Sequence, residues 1–99
     1  MKWVVGALLS PLFFFNFVVL KEQDIQRKRI KELEAEGYYV IKLMKTNKNG
    51  IPDLIAVKPG ENVLFSEIKT KTGRLSKLQE YRLKELSDNG FNTEVYGKE

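Results

Sequence analysis

The 99-residue chain contains neither cysteine nor histidine. Without cysteine the protein has no disulfide, no thiolate nucleophile and no zinc–thiolate site. Without histidine, any acid–base or metal chemistry has to run on carboxylates, lysine, tyrosine or bound water. The length is enough for one domain with a small α+β core and leaves no room for a second domain.

The chain is mildly basic, with a net charge of +4. This charge fits a polyanionic partner, although many small domains carry a similar excess. The positions of the cations are more informative, because one group precedes Asp53 and another follows Glu67. The two groups are Lys42, Lys45 and Lys48, and Lys69, Lys71, Arg74 and Lys77. If the two acids form a site, a phosphate backbone would have to lie between these groups.

Two short apolar strands joined by a turn organise the rest of the chain. The strands are predicted at residues 50–57 and 62–69, and the turn between them is built on Pro59 and Gly60. Alternation along the second strand places one set of side chains on one face and the rest on the other. The first set is Val63, Phe65, Glu67 and Lys69, and the second is Leu64, Ser66 and Ile68. A hairpin with this turn brings Asp53 opposite Glu67.

Two carboxylates and an ammonium would then meet at one end of a small sheet. Two anions at close range repel each other unless a cation lies between them. Carboxylate oxygens are the ligands that suit Mg²⁺ or Mn²⁺. The alternative is a surface hairpin in which Glu67 and Lys69 pair with neighbours, which contributes little energy. The fixed backbone at Pro52, the matching strand faces and the two basic loops favour a hydrolytic metal site.

The remaining elements complete a small α+β order. A helix is predicted from Lys21 to about Glu36 and stops at Gly37, with Ile25, Ile30 and Leu33 on one stripe. The other predicted elements are a strand at residues 38–44, a helix from Ser76 to Asp88 and a strand from Asn92 to Tyr96. The predicted order is therefore α-β-β-β-α-β.

Two polar residues on these helices have both a structural and a functional interpretation. Glu22 lies on the apolar stripe of the first helix, so it either favours the helix N-terminus or points to the sheet as a further metal ligand. Gln79 faces inward on the second helix, yet its spacing from Ser76 is that of a capping box. The local sequence leaves both choices open.

Residues 1–20 differ from the rest of the chain. Apart from Gly6, Ser10, Pro11 and Asn16, every residue from 3 to 20 is apolar. The run just reaches the length of a membrane span, but it is interrupted, and no clear signal-peptide cleavage site follows it. Four interpretations stay open: a membrane anchor, a signal peptide, a start assigned too early with true initiation near residues 18–20, or an extra element packed on the domain. We therefore divide the chain into an apolar N-terminal segment, residues 1–20, and a folded domain, residues 21–99.

Three sequence motifs together resemble the VRR-NUC family of the PD-(D/E)XK nuclease superfamily. They are Gly50-Ile51-Pro52-Asp53, Glu67-Ile68-Lys69, and Gly73-Arg74-Leu75-Ser76 with Gln79. The likeness extends from about Glu22 to Tyr96 and includes the order of elements. The resemblance implies a restriction-endonuclease-like α+β core, in which a mixed central sheet is flanked by helices.

The resemblance also assigns roles to individual residues. Asp53 and Glu67 would bind Mg²⁺ or Mn²⁺ with the main-chain carbonyl of Ile68, and Glu22 would complete the acidic site directly or through water. Lys69 would orient the attacking water and stabilise charge on the phosphate. Gln79 would help to position Lys69 or the nucleophile. The predicted DNA-binding residues are Lys45, Lys48, Lys71, Arg74 and Lys77.

The function implied by this family is metal-dependent hydrolysis of DNA phosphodiester bonds. Small members resemble structure-specific endonucleases, including homodimeric enzymes that resolve Holliday junctions. The alternatives are a non-catalytic DNA-binding module with the same fold, a flap nuclease, a restriction-type nuclease, and a membrane-anchored or secreted protein dominated by residues 1–20. The family suggests a cytoplasmic protein of a bacterial or phage-infected cell, with membrane association through residues 1–20 left open.

Overall fold

Six elements follow one another in the computed structural model, which describes residues 11–98 and, from residue 21 onward, their side chains. Their order is α-β-β-β-α-β, as the sequence predicts. The elements are α1 (Pro11–Ala35), β1 (Tyr39–Lys42), β2 (Leu54–Val57), β3 (Leu64–Ile68), α2 (Lys77–Asp88) and β4 (Asn92–Tyr96).

The first helix begins ten residues before the predicted start at Lys21. Proline is favoured at the first position of a helix, because its fixed φ suits the helix and its missing N–H needs no partner there. Between Pro11 and Gly37 the sequence has neither glycine nor proline, so nothing interrupts the helix. Residues 1–10 lie outside the described residues, and so does that part of the interpretation of residues 1–20. Across residues 11–98, no helix combines the length and apolar character that a membrane crossing requires.

The helix ends where the sequence predicts. Gly37 has a φ of +94°, a conformation that glycine adopts without the steric cost of a Cβ. Its N–H donates to the Glu34 carbonyl at 3.0 Å, and the next N–H, of Tyr38, donates to the Leu33 carbonyl at 3.0 Å. These bonds satisfy carbonyls that the end of a helix leaves without partners.

The four strands form one mixed sheet in the order β1-β2-β3-β4. β2 pairs antiparallel with both β1 and β3, whereas β4 lies parallel to β3. All three strands before α2 are shorter than predicted. β2 starts only at Leu54 because Pro52 lacks an N–H and ends the ladder, whose last bond runs from the Leu43 N–H to the Asp53 carbonyl at 2.8 Å. The final strand has the predicted bounds.

The two helices cover opposite faces of the sheet, which is why β3 is buried on both sides. Its residues Phe65, Ser66, Glu67 and Ile68 are all buried. Ser66 faces α1, because it donates to the Glu94 carboxylate on β4 that Arg29 of α1 also binds, and Glu67 faces α2. The two faces follow the predicted alternation. The apolar core consists of Leu33, Leu54, Ala56, Phe65 and Ile68.

A polar cluster joins α1 to the last strand. Arg29 donates from Nε and Nη2 to the two carboxylate oxygens of Glu94, at 2.8 and 2.9 Å, and Ser66 Oγ donates to the same carboxylate at 2.6 Å. Tyr96 donates its hydroxyl to Glu32, and this hydrogen bond lowers the pKa of the Glu32 carboxyl. Such bidentate pairs fix geometry as well as charge. The cluster therefore sets the position of α1 against β3 and β4.

Candidate active site

Two carboxylates come together at one end of the sheet. In the register that pairs Leu54 with Ser66, Asp53 lies opposite Glu67, as the hairpin predicts. Asp53 Oδ2 accepts a hydrogen bond from the main-chain N–H of Ile68 at 2.8 Å, which ties it to the end of β3. The Glu67 side chain is only 3% exposed.

The environment of Glu67 works against its ionisation. Burial, followed by the negative charge of Asp53, raises the pKa of the Glu67 carboxyl to about 7, although the positive charge of Lys69 opposes the shift. A hydrogen bond with Asp53 and the charge of Glu22 are smaller contributions to the same rise. The site therefore holds more negative charge than its own lysine neutralises, which favours the binding of a cation.

Lys69 and Gln79 both contact the same oxygen of Glu67. The Lys69 Nζ lies 3.8 Å from Glu67 Oε2, and the Gln79 Nε2 donates to that oxygen at 3.3 Å. Gln79 also forms the predicted capping box: its Oε1 accepts from the Ser76 N–H at 2.9 Å, and its own N–H donates to Ser76 Oγ at 3.1 Å. The structure confirms the capping box, and the functional role of Gln79 stays a prediction. Its amide contacts Glu67, whereas the prediction placed it beside Lys69 or the nucleophile.

Glu22 lies on α1 and faces the site rather than open solvent alone. Together with Asp53 it lines a cavity of about 590 Å³ between α1 and the end of β1. Gln26, one helical turn further along α1, and Lys42, at the end of β1, line the same cavity. The spacing of Glu22 and Gln26 on the helix predicts this shared face.

The side chains that could bind a metal ion are two carboxylates close together, and a third carboxylate, that of Glu22, lies further from them. Within residues 21–98, no cluster of three or more acidic side chains is tight enough to hold a metal ion. Asp53 and Glu67 are the close pair, and the charge of Glu22 reaches Glu67. Oxygen donors of this kind fit Mg²⁺ or Mn²⁺, which keep several water ligands.

The predicted DNA-binding residues are all exposed and project from the same end of the sheet. Lys45 and Lys48 lie in the loop between β1 and β2, and Lys71 and Arg74 lie in the loop after β3, before Lys77 opens α2. The first loop is held by Arg82, whose Nε donates to the Asn49 carbonyl at 2.8 Å. The second is held by Lys98, whose Nζ donates to the carbonyls of Lys71 and Gly73.

Gly97 lets the end of β4 pass close to the main chain of Lys69. It has a φ of +110°, and a Cβ there would lie 2.0 Å from the Lys69 carbonyl oxygen and 3.2 Å from Ile25. We expect Gly97→Ala to lower the free energy of unfolding by about 2 kcal/mol, because both the φ and the clash oppose a side chain. Urea denaturation measures this difference.

Gly90→Ala is the matched control for this prediction. Gly90 has a φ of +94°, but no atom lies within 4 Å of the position of its Cβ. It should therefore show the backbone strain alone, of about 1 kcal/mol. Equal losses in the two variants would contradict the close approach of Gly97 to Lys69.

The mixed sheet between two helices, with Asp53, Glu67 and Lys69 at one end, is the core of the restriction-endonuclease-like class of folds. The sequence profile of the VRR-NUC domain matches residues 16–97. A solved structure described as a VRR_NUC domain is similar to this chain, with a TM-score of 0.70 and 28% sequence identity over 78% of this chain and 84% of that one. No curated protein matches the sequence.

The chain therefore belongs to the VRR-NUC family. This is a family of nuclease domains that act on DNA and are generally dependent on a divalent metal ion. The family and the fold confirm the resemblance drawn from the three sequence motifs.

Some residues around the site could not be found from the sequence. Gln23 and Met44 also line the cavity beside Asp53. Nothing in the local pattern marks Met44, because its role depends on where the end of β1 meets α1. The pairing of Arg29 with Glu94 joins residues 65 positions apart and has no local signal either.

Proposed function

We propose that the protein is a divalent-metal-dependent endonuclease that hydrolyses phosphodiester bonds in branched DNA. The observation that carries this proposal is the buried Glu67 held opposite Asp53 and beside Lys69, at the end of the sheet from which two basic loops project. A protein that only bound DNA would gain nothing by holding two carboxylates together against their repulsion. This argument ranks catalysis above a non-catalytic DNA-binding module.

The close pair of carboxylates would hold Mg²⁺ or Mn²⁺. Asp53, Glu67 and the main-chain carbonyl of Ile68 are the proposed ligands, and Glu22 would join them directly or through water. When bound, the ion supplies a Lewis acid that neutralises charge on the phosphate and lowers the pKa of the attacking water. No histidine is needed for this chemistry.

The side chains around the pair have separate tasks. Lys69 orients the attacking water, and its ammonium stabilises the negative charge that develops on the phosphate. Gln79 donates to Glu67 Oε2 and so fixes the orientation of that carboxylate. Since Gln79 also caps α2, the first turn of this helix supports the site directly.

The basic loops would bind the phosphate backbone on both sides of the site. Contacts of this type fix the position of DNA without reading its bases, so we propose recognition of DNA shape rather than sequence. The proposed contacts are Lys45, Lys48, Lys71, Arg74 and Lys77. Cutting both strands of a symmetric four-way junction calls for two active sites, and a homodimer would supply them.

Cleavage of a panel of labelled DNA molecules tests the proposal. The panel holds a four-way junction, a flap, a single strand and a linear duplex, each with Mg²⁺, with Mn²⁺ and with EDTA. We expect cleavage only with a metal, fastest on branched DNA, and none by Asp53→Asn, which keeps the size of the side chain. If the protein binds DNA in EDTA and cuts none of the panel with metal, the DNA-binding module is the correct function.

A further inference from the structure

We propose that the cavity beside Asp53 accepts one unpaired base of the DNA, adjacent to the phosphodiester bond that is cut. This inference rests on the proposed function, because it names a feature of the substrate for that same site. The feature is a nucleotide whose base has left the duplex stack. Such nucleotides occur at branch points, flaps and single strands, but not inside an intact duplex.

The size and position of the cavity fit this occupant. Its volume of about 590 Å³ lies in the range of about 300–1,000 Å³ that small-molecule pockets span. α1 forms one wall, the end of β1 forms the other, and Asp53 lies where the cavity meets the carboxylate pair. A phosphate held at that pair carries its own nucleoside covalently, so the nucleoside has to lie next to the cavity.

The walls provide apolar surface for the faces of a base. Ile30 and Leu43 line the cavity, and Met44 lines it with 85% of its own surface still exposed. The flexible thioether of methionine adapts well to aromatic rings. Apolar side chains of this kind separate stacked bases in other DNA-binding proteins. A cavity that held only a metal ion and water would not need these apolar walls, because both ligands bind polar groups.

Two amides provide hydrogen bonds for the edge of a base. Gln23 and Gln26 line the cavity from α1. Within residues 21–98, no protein group forms a hydrogen bond with either amide. A glutamine amide both donates and accepts, which matches the mixed donors and acceptors of a base edge. Lys42 also lines the cavity, and its charge would bind a phosphate whichever base is present.

Binding of branched DNA that lacks single bases tests this inference. The affinity of the full chain is measured by fluorescence anisotropy in EDTA and in Ca²⁺, for junctions that carry an abasic nucleotide at each position around the branch in turn. We expect about a tenfold loss of affinity at one position only, from the lost apolar and hydrogen-bond contacts. In the doubly substituted Gln26→Ala, Met44→Ala protein, the intact junction should already bind about tenfold more weakly, and the abasic nucleotide should cost nothing more.

Two control variants separate the base from other contacts. Tyr39→Ala removes an apolar side chain on β1 that is 69% exposed and does not line the cavity, so the abasic penalty should stay at its wild-type value. Lys42→Met should weaken the binding of intact and abasic junctions equally. The inference is overturned if no abasic position weakens binding, or if the penalty survives in the doubly substituted protein.

The same samples, given Mg²⁺, report cleavage, so failure of the two proposals can be told apart. A base-dependent affinity without cleavage would overturn the nuclease and keep the pocket. Cleavage without any abasic effect would keep the nuclease and overturn the pocket. Absence of DNA binding would overturn both.

Discussion

Replacement of Glu67 by glutamine is expected to stabilise the metal-free protein at pH 8 by about 3 kcal/mol. The pKa of this carboxyl rises from its ordinary value of 4.5 to about 7 in the folded chain, chiefly because the side chain is buried. That difference corresponds to about 3 kcal/mol of unfavourable ionisation in the folded state. Glutamine has nearly the same shape and no charge, so it removes the cost.

The sign of the pH dependence follows from proton counts. Between pH 4.5 and about 7, the folded protein keeps a proton on Glu67 that the unfolded chain has released. The contribution of this group to stability is therefore lost as the pH rises through that window, and it changes little above it. Urea denaturation in EDTA at pH 5, 6, 7 and 8 should show this decline in the wild type and not in Glu67→Gln.

Two further measurements sharpen this prediction. Glu61→Gln, on the exposed turn between β2 and β3, is the control for removing one negative charge from the surface. Addition of Mg²⁺ at pH 8 should stabilise the wild type by mass action and leave Glu67→Gln nearly unchanged. If both variants keep the wild-type decline with pH, Glu67 is not the group that opposes folding.

Lys69→Met is expected to lower the rate of DNA cleavage by about 10²–10³-fold while DNA binding is retained. Methionine keeps the length of the side chain and removes the ammonium that is proposed to stabilise charge on the phosphate, and the loss of one such donor has this order of effect. Lys69 is only 16% exposed, so it contributes little to the charged surface that DNA meets first. Single-turnover rates at saturating protein measure the chemical step apart from binding.

Lys71→Met is the matched control, because Lys71 lies two residues further along the chain, in the loop after β3 rather than at the carboxylate pair. It removes one exposed cation from the loop after β3, so it should weaken DNA binding and reduce the salt dependence by about one counterion. Its cleavage rate at saturation should equal that of the wild type. A Lys69→Met protein that cuts at the wild-type rate would exclude Lys69 from the chemistry.

Local signals in the sequence predict much of this fold. The end of α1 at Gly37 and the start of α2 at Ser76 depend on residues within one helical turn, and a hydrogen bond from the Glu61 N–H to the Lys58 carbonyl closes the predicted Pro59-Gly60 turn. The register that sets Asp53 against Glu67 follows from the length of that turn. These features need no knowledge of distant parts of the chain.

The remaining features depend on contacts between distant segments. The predicted start of α1 at Lys21 is wrong because the apolar run before it lacks the 3.6-residue periodicity by which a helix is recognised. The position of Gln79 on Glu67 requires the packing of α2 on β3, and the cavity requires α1 to pass the end of β1. The spacing of nearby residues shows which residues share a helix face, but not what that face packs against.

The bond between Arg29 and Glu94 also governs when during synthesis the site can form. The ribosome makes α1 before β4, and until β4 emerges β3 lacks its parallel neighbour and Arg29 lacks the carboxylate that positions its helix. Glu22 and Asp53 can then face one cavity only after β4 has left the exit tunnel. A nascent chain that still lacks β4 thus carries Glu22, Asp53 and Glu67 without the packing that brings them together.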